Sequence, residues 1–300
     1  MNKPPNIVYL NGAYLPVEEA KISVMDRGFL FGDSVYEVVP VFGNNLLRVD
    51  EHLTRLQNSL NRVSMVNPLN SKEWAEIFSQ LLNKNQGEDR AIYLQVSRGA
   101  YPVRDLSIKE NYPATVFAMI LQVTPPDMEV VSAGISVITV DDFRWHACDI
   151  KSTSLIANVM LKQQARVANV EDAILIRKGM VTEGTASNVF LVKDGIILTP
   201  PTVHPTGNQL LLPGITRDLV IEIAEKNTIV VQQREIKETE LYSADEIWMT
   251  SSTREIAPVI RLNGEAVGVG MDAGVAGEMW KRVMDLYQQH KLLLRSSNEQ

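Results

Sequence analysis

At 300 residues, with 45% hydrophobic and 22% charged side chains, the chain is long enough for about two domains of roughly 150 residues each. That ordinary composition excludes a disordered or fibrous protein, and a net charge of −7 without any Lys/Arg cluster argues against a groove that tracks nucleic-acid phosphates. No apolar run approaches the ~20 residues that cross a bilayer, so neither nucleic acid nor membrane is expected as a partner.

The N-terminal Met1-Asn2-Lys3-Pro4-Pro5-Asn6 lacks the basic-then-apolar layout of a signal peptide. A single cysteine, Cys148, permits no internal disulfide and fits a reducing, cytoplasmic setting. Strands are then expected at Ile7–Leu10 and Ala13–Pro16, flanking the hairpin dipeptide Asn11-Gly12. After Asp50, a good N-cap, Leu53, Leu56, Leu60 and Val63 recur at three and four residues; this spacing predicts a helix of about 14 residues, with Arg55 pointing away from the apolar stripe. Ser71 opens another helix bearing Trp74, Ile77 and Leu81. A strand-rich segment at 114–123 ends in Thr124-Pro125-Pro126-Asp127, the clearest domain boundary.

A new strand is expected at 135–140 and helices at 154–168, 216–226 and 275–293. Further strands at 189–193 and Ile196–Thr199 flank Asp194-Gly195; another at 256–262 runs into Asn263-Gly264, and the strand at 246–249 precedes a hydroxyl cluster. Only the tail at 295–300 reads as disordered. These elements predict a small α+β domain over 1–123, a linker over 124–131 and a larger domain over 132–300.

Several chemistries fall away on inspection of the residues. His52, His146, His204 and His290 are far apart, with no i,i+4 pair and no second cysteine, so no metal site is expected. Neither a G-x-S-x-G elbow nor a G-x-x-x-x-G-K-[ST] loop occurs. Gly268-Val269-Gly270-Met271-Asp272-Ala273 fits a loose dinucleotide pattern, but only 27 residues follow it, too few for a βαβ unit, so it reads as the loop before the last helix.

Three segments carry chemistry. In Leu212-Pro213-Gly214-Ile215-Thr216-Arg217-Asp218 a glycine turn opens a helix; it is either an ordinary helix start or an anion site built from backbone N–H groups and the helix dipole. Thr250-Ser251-Ser252-Thr253 offers further hydroxyl donors or is simply a loop. Lys151, in Asp149-Ile150-Lys151-Ser152, lies between an apolar strand end and a helix start; it is either a solvated surface charge, as most lysines are, or a partly buried amine whose neutral form acts as nucleophile or base. Downstream, Glu183 stands in Val181-Thr182-Glu183-Gly184-Thr185-Ala186-Ser187-Asn188, either a surface hairpin residue or a carboxylate among small residues that leave room for a planar ligand.

With Asp26-Arg27-Gly28-Phe29-Leu30-Phe31-Gly32-Asp33-Ser34-Val35-Tyr36-Glu37-Val38-Val39, Glu51-His52-Leu53-Thr54-Arg55-Leu56, Arg144-Trp145 and Glu255-Ile256, these segments follow one another in an order that resembles the fold-type-IV, pyridoxal-phosphate-dependent aminotransferases, and most of all the bacterial D-amino-acid aminotransferases. The resemblance covers nearly the whole chain. It implies a two-domain α+β and α/β fold, with a small α+β domain and a larger β-rich pseudo-barrel domain flanked by helices. The cofactor implied is pyridoxal 5′-phosphate. By position Lys151 would be the Schiff-base lysine and proton shuttle, and Glu183 would keep the pyridine nitrogen protonated. Arg55 would pair with the phosphate, with Ile215, Thr216, Ser251 and Ser252 completing the cup, and Leu212 would press on the ring.

For the substrate, the resemblance implies that Tyr36 and Arg104 grip the α-carboxylate beside Val38, with Arg104 reaching a neighbouring subunit's site in a homodimer. The family's Arg-x-His is here Arg104-Asp105-Leu106; leucine donates no hydrogen bond, and Asp105 is placed to compete for the arginine's charge. The expected reaction is ping-pong transamination of a D-amino acid such as D-alanine with a 2-oxo acid acceptor. Transamination of (R)-amines or branched-chain L-amino acids, an aminodeoxychorismate lyase activity, and a non-catalytic cofactor-binding protein are the alternatives. Cys148 reads as a small buried hydrophobe.

Overall fold

The computed structural model describes residues 6–125, 127–203, 211–268, 270 and 273–296. His204, the N-terminal 1–5, the middle of the Gly268–Ala273 pattern (Val269, Met271 and Asp272) and the tail beyond 296 lie outside them. The described residues divide into two compact units, one within Met1–Thr124, Ile150–Ser154 and Leu294–Gln300, the other within Pro125–Asp149 and Leu155–Leu293. The sequence reading, with its single boundary near 124, does not contain the return of Ile150–Ser154 to the first unit.

The first unit opens with the expected hairpin, β1 (Ile7–Leu10) and β2 (Ala13–Pro16), whose turn holds Asn11 and Gly12 at positive φ. A short helix α1 (Arg27–Phe31), N-capped by Asp26, leads into β3 (Ser34–Phe42), β4 (Asn45–Leu46) and the helices α2 (Val49–Arg62) and α3 (Ser71–Lys84). β5 (Asp89–Ser97) and β6 (Thr115–Gln122) complete an antiparallel sheet of order β2-β1-β6-β5-β3-β4. α2 and α3 bury Leu56, Leu60, Trp74, Ile77, Phe78 and Leu81 against Val35, Val39, Ile92, Leu94 and Val96 of the sheet.

Two details of α2 differ from expectation. Its N-cap is Arg48, in the left-handed region, and Asp50 sits in the first turn, beside Glu51, where acidic side chains favour the helix dipole. Arg55 does not point away from the apolar stripe; it is buried with Leu56, for a reason given below.

The second unit begins with α4 (Met128–Ser132), N-capped by Asp127, within the stretch expected to be a linker. It continues through β7 (Ile135–Asp141), α5 (Ile156–Val167), β8 (Asp172–Arg177), β9 (Met180–Gly184), β10 (Asn188–Lys193) and β11 (Ile196–Thr199). Then follow α6 (Ile215–Lys226), β12 (Val231–Gln233), α7 (Glu238–Leu241), β13 (Glu246–Ser251), β14 (Glu255–Leu262), β15 (Glu265–Ala266) and α8 (Glu278–Ser296). The strands form one mixed sheet, β12-β11-β10-β13-β14-β7-β8-β9, with β15 on β14. β9 also lies against β10, so the sheet curls into a half-barrel around Val137, Ile174, Val189, Leu191, Ile247 and Val259.

α8 runs to Ser296, so the start of the expected tail is helical, and its Arg295 pairs with Asp89. Among the described residues no helix is long and apolar enough to cross a membrane, and no cluster of His, Cys, Asp and Glu is suited to a metal.

Candidate active site

Successive residues of β3 face opposite sides of its sheet. Val35, Glu37 and Val39 are fully buried on the helix side, while Tyr36 and Val38 are half-buried on the other. On the helix side α2 presents His52, Arg55 and Ser59, spaced three and four apart and therefore on one stripe. Glu37 accepts from Arg55 Nε at 2.7 Å and from Arg55 Nη2 at 2.9 Å, and from His52 Nδ1 at 2.8 Å. Arg55 is buried because this carboxylate lies inside.

Burial by itself would raise the Glu37 carboxyl, but Arg55 and His52 hold it well below the usual carboxylate range. Burial lowers His52 despite Glu37, so its ring is neutral and donates from Nδ1. Removing one member of such a group leaves buried charge uncompensated, at a cost of about 3–5 kcal/mol. Glu37→Ala is therefore expected to lower the urea midpoint by that amount of stability. Because the folded-state carboxyl lies below its unfolded value of about 4.3, its stabilisation is complete above that pH and is lost as pH falls towards the folded value. Wild-type stability should drop on acidification below about pH 4.3, and Glu37→Ala should lose its share of that drop; an unchanged acid limb in the variant refutes the assignment.

On the other side of β3, the segment carrying Lys151 covers the strand's free edge. Tyr36 N–H donates to Lys151 O at 2.9 Å, Thr153 N–H to Ser34 O at 3.0 Å, and Val35 bridges Ser152. Lys151 N–H donates to Ser59 Oγ at 3.2 Å, so both backbone groups of the lysine are pinned. Its Nζ lies 4.2 Å from the centroid of the Tyr36 ring. Tyr36 stacks on Tyr93 at 5.6 Å, and Tyr93 Oη–H donates to Gln95 Oε1 at 2.7 Å. Burial, with Tyr36 nearby, pushes the Tyr93 hydroxyl up to about 12, so it stays a donor at neutral pH.

The register pairs Tyr36 with Gln95 and Val38 with Tyr93; all four side chains therefore share the face that carries Lys151 Nζ. Sequence reasoning named Lys151, Tyr36 and Val38 but missed Tyr93, Gln95, Glu37 and His52. The signal for the latter two was present: an acidic residue between apolar strand neighbours, and a His and an Arg three apart on the next helix.

Arg104 lies on the loop between β5 and β6, its guanidinium carbon 4.9 Å from the centroid of Phe31. Arg27 secures this loop by donating to the carbonyls of Asp105 and Leu106 and by pairing with Asp33 at 2.7 Å. Leu106 is 74% exposed and stays clear of the sheet. Asp105 pairs with Lys109 at 3.5 Å, which corrects the expectation that it competes for Arg104.

In the second unit, Glu183 on β9 is 5% exposed. Its Oε1 accepts from Arg144 Nη1 at 2.6 Å and its Oε2 from Leu212 N–H at 3.2 Å. Arg144 in turn grips Asp142 with Nε at 2.9 Å and Nη2 at 3.0 Å, and Asp142 also holds Thr182 Oγ1 and Arg177, each at 2.9 Å. Burial pushes the Glu183 carboxyl up, against the pull of Arg144 and the Leu212 N–H. Cys148 is buried with Sγ 3.1 Å from Trp145 O, in line with a structural role.

Leu212 is fixed from both ends, since Asn188 Nδ2 donates to its carbonyl at 3.0 Å. Two residues on, Gly214 is the N-cap of α6, and no side chain caps the helix. A Cβ at Gly214 would overlap Asn188 Oδ1, which is why glycine stands there. The first-turn amides, including those of Ile215 and Thr216, have no intrahelical acceptor and carry the positive end of the helix dipole. Asn188 is the register partner of Thr250 on β13, and Thr250 Oγ1 and Ser187 Oγ are buried without a hydrogen-bond partner among the described residues. At the end of β13, Ser251 Oγ accepts from Arg254 N–H at 3.2 Å, and Ser252 follows in the turn. An uncapped helix start beside orphaned hydroxyls is a donor set suited to a phosphate group. The residues present thus fit a cofactor with a phosphate and a ring nitrogen.

The family model for amino-transferase class IV matches residues 34–262. The chain is 37% identical to the D-alanine aminotransferase of Bacillus licheniformis over 281 residues, covering 94% of this chain and 95% of that protein. It is 35% identical to that of Listeria monocytogenes serotype 1/2a (strain 10403S), over 91% of this chain and 93% of the other. Among solved structures, the T.th. branched-chain amino acid aminotransferase with pyridoxamine 5′-phosphate superposes with a TM-score of 0.88 at 28% identity, covering 99% of this chain and 98% of that one. The same enzyme complexed with N-(5′-phosphopyridoxyl)-L-glutamate gives 0.87 at 28% identity over the same shares. Class IV aminotransferases use pyridoxal 5′-phosphate. The match spans most of both units and includes Lys151, Glu183 and the start of α6, so the chain belongs to the class IV aminotransferases.

Proposed function

We propose that this aminotransferase takes its amino group from a D-amino acid such as D-alanine and passes it to a 2-oxo acid in a ping-pong cycle. The observation that carries the reading is the Lys151 amine set 4.2 Å from the Tyr36 ring centroid, on the face shared with Val38, Tyr93 and Gln95. Pyridoxal 5′-phosphate, when bound, supplies an electrophilic aldehyde and a ring that accepts electrons from the carbon losing its proton.

In this reading Lys151 Nζ would hold the cofactor through its aldehyde and, as a free amine, would take up the proton that the donor's α-carbon loses. Glu183 keeps a proton on the ring nitrogen, with Arg144 and Asp142 fixing its orientation. Leu212 would border the ring. Arg55, the amides and hydroxyl at Ile215 and Thr216, and the hydroxyls of Ser251 and Ser252 bind the phosphate. Tyr36 and Arg104 bind the donor's carboxylate, and Val38 borders its side chain.

The D-amino acid is supported by the relatives of higher identity, which carry the name D-alanine aminotransferase. A branched-chain L-amino acid is the second reading, supported by the likeness to branched-chain aminotransferases at TM-scores of 0.87 and 0.88. We also read the chain as a homodimer: Phe29, Val24, Val103, Leu106 and Ile108 of the first unit are at least half exposed, an apolar surface suited to a second copy. The single buried cysteine supports a reducing, cytoplasmic setting.

The test is a half-reaction followed by absorption. Adding D-alanine to the cofactor-loaded protein should bleach its visible band, whereas L-leucine should leave it. Bleaching by L-leucine alone overturns the D-amino-acid reading in favour of the second, and bleaching only by an (R)-amine overturns both. Arg104→Ala should raise the KM for D-alanine about 10- to 150-fold, the worth of a charge-assisted hydrogen bond. Sedimentation at the mass of one chain would sink the dimer.

A further inference from the structure

The tip of the β13–β14 hairpin carries the Ser251 and Ser252 hydroxyls, and its closing pair is Ser251 with Glu255. Glu255 has φ +57°, the left-handed conformation that glycine adopts without strain and other residues rarely do. Here the position holds a long acidic side chain that is 5% exposed. Its two oxygens are both engaged by α8: Oε1 accepts from Lys291 Nζ, itself 3% exposed, and Oε2 accepts from Gln288 Nε2 at 2.6 Å. The next residue is held by the same helix, since Trp280 Nε1–H donates to Ile256 O at 3.0 Å.

A strained backbone conformation persists only where its surroundings over-determine it. Glycine would supply this conformation without strain, so the glutamate is explained by what its side chain reaches. On the other side of the turn, Arg254 Nη1 pairs with Asp172 Oδ2 at 3.4 Å, so the residue before the strained one is tied as well. The peptide bearing Ser251 and Ser252 is thereby held at its C-terminal end by a buried ion pair to a helix that supplies no candidate cofactor ligand of its own.

We propose that Lys291 is a positioning residue for the phosphate-binding hydroxyls, acting through Glu255 to set the hairpin tip. This rests on the assignment of Ser251 and Ser252 to the cofactor phosphate. The role predicts a selective effect. Loosening the tip weakens the hold on the phosphate and leaves the rest of the cofactor's contacts as they are.

The experiment measures binding of pyridoxal 5′-phosphate and of pyridoxal, which lacks the phosphate, by quenching of tryptophan fluorescence. It uses the full chain, Lys291→Met, and the double variant Glu255→Gly/Lys291→Met. The double variant leaves neither charge unpaired and gives the left-handed position its natural residue, so it folds where the single variant does not. The expected result is a rise in the Kd for pyridoxal 5′-phosphate of about tenfold or more, the worth of one well-aligned donor to an anion, with the Kd for pyridoxal changed less than about twofold. Equal changes for both compounds, or no change for either in a variant with the wild-type circular dichroism, overturn the proposal and leave the ion pair a purely structural tie. If the wild-type protein itself binds pyridoxal 5′-phosphate no more tightly than pyridoxal, the phosphate assignment fails and the positioning role fails with it.

Discussion

Lys151→Ala is expected to lower transamination of D-alanine by at least about 10³-fold, within the range that a positioned acid–base group contributes, while the protein still folds and binds the cofactor. The fold should survive because both backbone anchors of residue 151, its N–H to Ser59 and its carbonyl to Tyr36, are independent of the side chain. What the substitution removes is an amine next to the Tyr36 ring, a contact worth about 0.5–1 kcal/mol. A small loss of stability with a large loss of rate is the signature sought. Steady-state turnover and fluorescence titration with pyridoxal 5′-phosphate, run on the same preparation, separate the two. Turnover within about tenfold of wild type would refute the assignment of the shuttle to Lys151.

The second large effect is expected at Glu183→Gln. The carboxylate accepts two N–H groups, one from Arg144 on Oε1 and one from Leu212 on Oε2. An amide of the same shape has only one oxygen, so its NH₂ must face one of those donors. The unmet group costs about 1–3 kcal/mol, seen as a lowered urea midpoint. Arg144 remains gripped by Asp142 through two of its nitrogens, so the variant is not left with an isolated buried cation and should still fold. The larger loss is chemical, because a neutral amide at this place cannot hold a proton on a facing ring nitrogen. A fall in the single-turnover rate of about 10²-fold is expected, the lower end of acid–base contributions. An unchanged rate would place the proton elsewhere.

The elements that were legible in the sequence are those whose residues see one buried face. β1 and β2, α3 with Trp74, Ile77 and Leu81 inward, and the hairpins at Asn11-Gly12 and Asp194-Gly195 all carry a period or a turn dipeptide that water and the core jointly impose. β8, by contrast, is buried along nearly its whole length and lies between β7 and β9. With both faces covered it has no alternation to read. β5 does alternate, with Ile92, Leu94 and Val96 buried and Tyr93 and Gln95 half-buried, but these two become neighbours of Tyr36 and Val38 only through the register of β3 on β5.

Residue type and order along the chain determined the class of chemistry: a lysine, an acidic residue among small ones, and a glycine-opened helix followed by a hydroxyl cluster. Only the tertiary structure decided which groups these residues answer to. Arg55 reads from its helix as a surface residue, yet it is buried because Glu37 arrives from a strand 18 residues earlier and a buried carboxylate requires a cation. Lys151 is far in sequence from Tyr36, and the open edge of β3 brings the two together because unpaired strand N–H and C=O groups must find partners. Glu255 departs from what a local turn rule would place there, and its reason, Lys291, stands 36 residues away on another element. Local pattern records the competition between core and water at each residue; long-range pairing of buried charges and strand edges is a property of the folded chain alone.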